Sequence, residues 1–139
     1  MDVGAKKARP LTRPGVPLSV PSPDGSRVAT WEDDGIKIYP IGGGKPRTIP
    51  GADPLEWPLQ WRADGRALYL GRESRGGRCR IDEVDLATGR RGRWKELRMM
   101  DPAGSISIIG YARMTPNGEA YAYSTGNMLS ALYLVEGLR

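Results

Sequence analysis

Histidine and phenylalanine are absent from this sequence of 139 residues, and cysteine occurs once, at Cys79. Without histidine the chain has no imidazole to act as a general base, to bind a metal or to activate a serine or cysteine nucleophile. A single cysteine also excludes a framework of internal disulfides. We therefore expect no catalytic residue, no cofactor and no metal site, and the chain is not expected to be an enzyme.

Long apolar runs are also absent. No stretch reaches the roughly 20 apolar residues that a membrane-spanning helix needs, and no apolar segment follows the basic residues Lys6, Lys7 and Arg9 as it would in a signal peptide. The sequence thus predicts no membrane segment. It leaves the cellular compartment undetermined.

Turn-forming residues are abundant, with 19 Gly and 12 Pro spread along the chain rather than gathered in one linker. Many short elements separated by many turns indicate an all-β protein. Apolar residues make up 39% and charged residues 27%, which is ordinary for a globular domain. The net charge of +5 comes mostly from arginine, and alone it is weak support for an anionic partner.

A turn motif followed by a short apolar strand occurs three times. The three segments are Ser22-Pro23-Asp24-Gly25, Arg62-Ala63-Asp64-Gly65 and Thr115-Pro116-Asn117-Gly118. Proline presets φ at the first turn position, Asp or Asn tolerates the next, and Gly accepts a positive φ. Gly65 lies 40 residues after Gly25, which matches one four-stranded propeller blade, and Gly118 lies 53 residues after Gly65.

The strands between these turns alternate in character, as Ile36 and Ile38 do with Lys37 and Tyr39. We therefore predict a partial β-propeller of about three four-stranded antiparallel blades. It comprises an outer strand near residues 8–12, two complete blades and a three-stranded last blade. The predicted blades cover residues 7–50, 51–98 and 99–139, all within one domain.

Three stretches carry a resemblance to a known family. They are the Ser22-Pro23-Asp24-Gly25 turn with its repeats, the strand end Val84-Asp85-Leu86-Ala87-Thr88-Gly89-Arg90, and the terminal Leu132-Tyr133-Leu134-Val135-Glu136-Gly137. They resemble the TolB-type, WD40-like propeller repeat, and the last half is similar to the C-terminal propeller of membrane-tethered bacterial serine/threonine protein kinases. The resemblance implies a non-catalytic sensor module that binds a protein or small ligand on its loop face, on the extracytoplasmic side.

Such propellers have more blades than three, so we expect the remaining blades upstream of Met1, or a homodimer that closes the ring. Two other functions stay open. One is the gating propeller of a prolyl-oligopeptidase-like hydrolase, which would need a hydrolase domain elsewhere. The other is a basic adaptor for nucleic acid or another anionic partner, although nucleic acid is disfavoured because stacking aromatics are not interleaved with the arginines.

Candidate binding residues cluster in the second predicted blade and the loop after it. We expect the surface to include Trp57 as an exposed aromatic, the loop carrying Asp101, and the arginines of one hairpin, which are Arg72, Arg75, Arg78 and Arg80. Arginine forks suit phosphate and carboxylate groups. The same arginines could instead be a charged outer strand that discourages edge pairing.

Two further features have structural interpretations. Glu32, Asp33 and Asp34 lack the alternating spacing of a calcium loop, so they are expected to form a solvated hairpin tip. Cys79 is expected to be a buried, small apolar residue at the start of a strand.

Overall fold

The computed structural model describes residues 10–74, 78–98, 112–115 and 119–124, and within them all regular structure is β-strand, without a helix. The strands are β1 (Ser19–Pro21), β2 (Arg27–Glu32), β3 (Gly35–Pro40), β4 (Arg47–Thr48), β5 (Glu56–Trp61), β6 (Ala67–Ser74), β7 (Arg78–Asp85), β8 (Arg91–Arg98), β9 (Ala112–Met114) and β10 (Tyr121–Tyr123). The prediction of an all-β chain is confirmed.

In the described residues, three antiparallel sheets follow one another in sequence order. Strands β1 to β4 form the first sheet, β5 to β8 the second, and β9 and β10 the third, and neighbours in sequence are neighbours in each sheet. The first two sheets lie within the ranges 7–50 and 51–98. The predicted outer strand falls partly outside the described residues, and its described part, residues 10–12, is not a strand.

One hydrogen bond closes all three repeat turns in the same way. The amide of the first turn residue donates to the carbonyl five residues later, in the pairs Ser22–Arg27, Arg62–Ala67 and Thr115–Ala120 at 2.8, 2.9 and 2.8 Å. In the first two turns Gly25 and Gly65 have φ of +67°, a conformation that a residue with a Cβ adopts only under strain. The sequence repeat is therefore also a repeat in backbone geometry.

The second sheet lies between the other two and is buried on both faces. Leu68, Leu70 and Val84 pack against the first sheet, in a cluster that includes Ile36 and Ile38 of β3. Because side chains alternate across a strand, Tyr69 and Ile81 face the opposite way, toward Ala112 and Met114 of β9. Burying one such aliphatic side chain contributes about 1.5–3 kcal/mol, so these two layers dominate the stability of the fold.

A bulge in β5 lets one strand serve both cores. The register with β6 shifts between Pro58 and Gln60, so Leu59 is an extra residue. Trp57 and Leu59 therefore belong to the cluster facing the third sheet, while Trp61 turns to the cluster facing the first. Bulges characteristically redirect a side chain in this way.

Two local predictions have different outcomes. Cys79 is buried, with 1% exposure, as predicted. The hairpin tip is solvated only at Asp33 and Asp34, because Glu32 points back onto the sheet and is buried. It accepts hydrogen bonds from Tyr39 Oη at 2.6 Å and Lys37 Nζ at 3.2 Å, which replace the water it gives up.

Candidate functional site

A basic cleft opens where the first and second sheets meet, beside the repeat turns. Its volume is about 500 Å³ and it is lined by Arg27, Arg47, Asp64, Gly65, Arg66, Asp85, Leu86, Ala87 and Thr88. A second depression of about 190 Å³ shares Arg27 and Arg47 with it and adds Lys45. Arg27 and Arg47 begin β2 and β4, Arg66 ends a turn of the second sheet, and Lys45 precedes β4. Four cationic side chains thus line the cleft and the adjoining depression.

Two arginines of the first sheet are held in place by backbone carbonyls of the second. Arg27 Nη2 donates to Gly65 O at 2.9 Å, and its guanidinium lies over the Trp61 ring, 4.8 Å from the centroid. Arg47 Nη2 donates to Leu86 O. A carbonyl orients a guanidinium without neutralising it, and each guanidinium has five N–H donors, so both keep donors for a further acceptor.

The two carboxylates on the cleft wall are already engaged in their turns. Asp64 accepts from Arg62 Nε at 3.0 Å and from the Arg66 amide at 2.9 Å, and the hydrogen bond from Arg62 lowers the pKa of its carboxyl. Asp85 accepts from Thr88 through both the amide and the hydroxyl at 2.8 Å, and these bonds lower its pKa as well. Both carboxylates therefore remain charged at neutral pH and are satisfied locally.

Arg66 lines the cleft from its exposed side, and Lys45 lines the adjoining depression. Both side chains are exposed, and neither side chain forms an ion pair or a hydrogen bond within the described residues, since the bond to Asp64 comes from the Arg66 backbone amide. The four cationic side chains outnumber the two carboxylates, so within the described residues the cleft and the adjoining depression together keep a net positive charge.

The arginines expected to form a binding surface lie at the other end of the second sheet, where β6 ends and β7 begins. Each described one has an acidic partner: Arg72 Nη1 is 2.7 Å from Asp53 Oδ2, Arg78 Nη1 is 3.7 Å from Glu96 Oε1, and Arg80 Nε is 2.8 Å from Asp82 Oδ1. Arg75 and Asp101 lie outside the described residues. The described arginines of the predicted surface therefore belong to an ion-pair network, and their role in binding stays a prediction.

Trp57 is half-buried and packs on the core between the second and third sheets. Its indole Nε1 is buried and has no hydrogen-bond partner within the described part of the chain. Gly71, its cross-strand neighbour, is what leaves room for the ring: a Cβ on Gly71 would lie 2.9 Å from Trp57 Cε2. The structure therefore gives Trp57 a packing role.

Two buried carboxylates organise the ion-pair network. Glu56 and Asp82 are only 3% and 2% exposed, and Arg91 lies between them, contacting both Glu56 oxygens and approaching Asp82 Oδ2 at 3.4 Å. The hydrogen bond that Arg91 donates to the Glu56 carboxylate raises the pKa of Arg91. Arg91 Nη2 also donates to Gly51 O at 3.0 Å, which ties the connection between the first two sheets to β8. Buried charges of this kind need such partners, so the network is a structural element.

The described residues include neither a cluster of metal ligands nor a membrane-spanning helix. None of them gathers three or more histidine, cysteine, aspartate or glutamate side chains into a potential metal site. The described part of the chain also contains no helix long and apolar enough to cross a membrane.

Comparison with known proteins gives no family: no family model matches the sequence, and no curated protein matches it. The resemblance to TolB-type propellers therefore rests on the turn and strand motifs, and it stays a prediction.

The cleft was not predicted from the sequence. Its arginines do leave a signal, because Arg27 is the second residue after the first repeat turn, a position where the other two repeats have Ala67 and Ala120. Arg47, the first residue of β4, ends the basic, proline-containing segment Lys45-Pro46-Arg47. What the sequence could not reveal is that these residues meet across two sheets.

Proposed function

We propose that this chain is a non-catalytic segment of a β-propeller that supplies a binding or sensing surface to a larger assembly. The observation that carries the proposal is the succession of two four-stranded antiparallel sheets with the same strand order, packed face to face. Propeller blades have this construction, and each blade covers the apolar face of its neighbour.

Strand β5 supports a radial arrangement of the sheets because it contacts the first strands on both sides. Trp61 Nε1 donates to Val20 O of β1 at 2.9 Å. On the other face, Gln60 Nε2 donates to Met114 O at 2.9 Å while its Oε1 accepts from the Met114 amide at 3.0 Å. The first strands of successive sheets thus lie side by side, as the innermost strands of neighbouring blades do.

The binding role is supported by where the unbalanced charge lies. Rigid scaffolds place recognition on turns and loops, and the basic cleft is formed by the second repeat turn, the turn between β7 and β8, and the first residues of β2 and β4. The parent protein that we propose is a sensor of the kind that the sequence resembles, a serine/threonine kinase with a C-terminal propeller. In such a protein the catalytic chemistry belongs to another domain.

The first test is the solution mass of the purified chain by light scattering during size exclusion, together with far-UV circular dichroism. A partial propeller has two open sheet faces, and exposed apolar faces promote association. We expect a β-rich spectrum with either a discrete dimer, near twice 15.2 kDa, or concentration-dependent association. A β-rich chain that stays monomeric at all concentrations would contradict the proposal, because it would have no open face to cover.

A further inference from the structure

The first repeat carries an arginine that its turn does not need. In all three repeats the residue after the turn uses its backbone carbonyl to accept the closing hydrogen bond, and two of the repeats do so with Ala67 and Ala120. Alanine is therefore sufficient for the turn. The side chain of Arg27 extends to the second sheet instead and forms one wall of the basic cleft.

The other wall repeats this arrangement with Arg47. Like Arg27, it uses one N–H on a backbone carbonyl of the second sheet, which fixes the guanidinium while leaving its charge unpaired within the described residues. Within the second sheet, by contrast, Arg91 is paired with a carboxylate, that of Glu56. Arg27 and Arg47 are each oriented by a backbone carbonyl and neither is paired with a carboxylate, so together they form a preorganised anion site. Binding an anion there would cost little additional side-chain entropy.

We propose that the cleft binds a small molecule through a phosphate or carboxylate group, held between Arg27 and Arg47 with Arg66 at the mouth. The volume of about 500 Å³ suits a small ligand rather than a single ion. Planar guanidinium groups form paired hydrogen bonds with the oxygens of both anions, so phosphate and carboxylate share the chemistry that the site offers. This inference rests on the proposed function as a binding segment and names the ligand class of its surface.

The test uses the full chain and two probes, inorganic phosphate and succinate, titrated by isothermal calorimetry at constant ionic strength. Arg47→Met removes the charge and keeps the length of the side chain. Arg93→Met is the matched control, because Arg93 is exposed on β8, outside the cleft, and its loss changes the net charge equally. Charge-assisted hydrogen bonds are strong enough that losing one pair should weaken binding by about 10-fold or more.

Saturable binding of either probe that falls about 10-fold in Arg47→Met and stays within about twofold in Arg93→Met supports the proposal. Binding of phosphate alone indicates a phosphorylated ligand, and binding of succinate alone a carboxylate. If Arg47→Met does not fold, Arg66→Met takes its place, since Arg66 has no side-chain partner in the described residues whose loss would unfold the chain.

Two results would overturn the proposal: no saturable binding by the folded chain, or equal weakening in the cleft and control variants. Circular dichroism and light scattering on the same samples separate this failure from that of the proposed function. A β-rich, self-associating chain that binds neither probe refutes the anion site and leaves the propeller segment standing. A folded chain that remains monomeric refutes the propeller segment whatever the calorimetry shows.

Discussion

Replacing Gly71 by alanine should destabilise the chain although both residues are small. Gly71 lies in the middle sheet between Ile81 of β7 and Trp57 of β5. A Cβ there would lie 2.9 Å from Trp57 Cε2, 3.0 Å from Trp57 Nε1 and 3.1 Å from Leu59 Cδ1. All three contacts are shorter than normal van der Waals separation, so the indole and the leucine must both move. Overpacking of this kind costs about 1–3 kcal/mol.

Gly92→Ala is the matched control, because Gly92 is also a strand residue of the second sheet but a Cβ there would meet nothing within 4 Å. That variant should be neutral or more stable by about 0.4–1 kcal/mol, since alanine restricts the unfolded chain. Urea unfolding followed by tryptophan fluorescence measures both free energies. Equal stability changes in the two variants would refute the packing argument.

A double variant tests whether the indole causes the cost. Trp57→Leu removes the two ring atoms nearest the new methyl group, so Gly71→Ala should cost less in that background than in the wild type. Contacting residues commonly show coupling of about 0.5–3 kcal/mol. Additive effects would mean that the strain arises elsewhere, for example at Leu59.

Three further predictions concern single groups. Gln60→Met should lower the free energy of unfolding in urea by about 2–4 kcal/mol, because it leaves both the amide and the carbonyl of Met114 without their partner. A loss of stability no larger than that of the control Glu73→Met, at an exposed position, would contradict this. Burial would raise the pKa of Glu32, but hydrogen bonds from Tyr39, Lys37 and Thr30 outweigh it, so the pKa is lowered in the fold. The stabilisation by the Glu32 carboxylate is therefore present above about pH 4.5 and lost as the pH falls further. In acid, the urea midpoint should fall less steeply for Glu32→Gln than for the wild type. Identical pH profiles of the two proteins would count against the argument. Burial raises the pKa of the Cys79 thiol to about 11, so at pH 8 a disulfide reagent should label it only as fast as the chain opens, and immediate stoichiometric labelling would show the thiol to be accessible.

The turns and the strand alternation were predictable because they depend on local chemistry. A glycine at positive φ after Asp24 or Asp64 and the alternation of Ile36 and Ile38 are properties of a few neighbouring residues. The bulge at Leu59 was not predictable in the same way. It redirects Trp61 by one position, and nothing in the local pattern distinguishes the extra residue from its neighbours.

The surroundings of the charged side chains depend on partners that are distant in sequence, so the sequence alone was less informative about the candidate sites than about the turns. Arg72 pairs with Asp53, which precedes it by 19 residues and meets it only in the folded chain, and the sequence did not predict this pair. That Arg72 belongs to a binding surface stays a prediction. Arg27 and Arg47 were missed for the same reason, since their carbonyl partners follow by 38 and 39 residues. Composition shows how many charges a chain has, and only the fold shows which of them are balanced.

The arginines of the first two sheets differ in the acceptor that they meet, which is a carboxylate for some and a backbone carbonyl for others. Arg91 is paired with the buried carboxylates of Glu56 and Asp82, so its positive charge is balanced within the fold. Arg27 and Arg47 lie against carbonyls, which are dipoles and cancel little of a full charge. A fold that needed Arg47 only as an inter-sheet tie could have used a neutral donor such as glutamine, as Gln60 does between the second and third sheets. Keeping a full positive charge where a neutral donor would suffice is what a site for an anion requires.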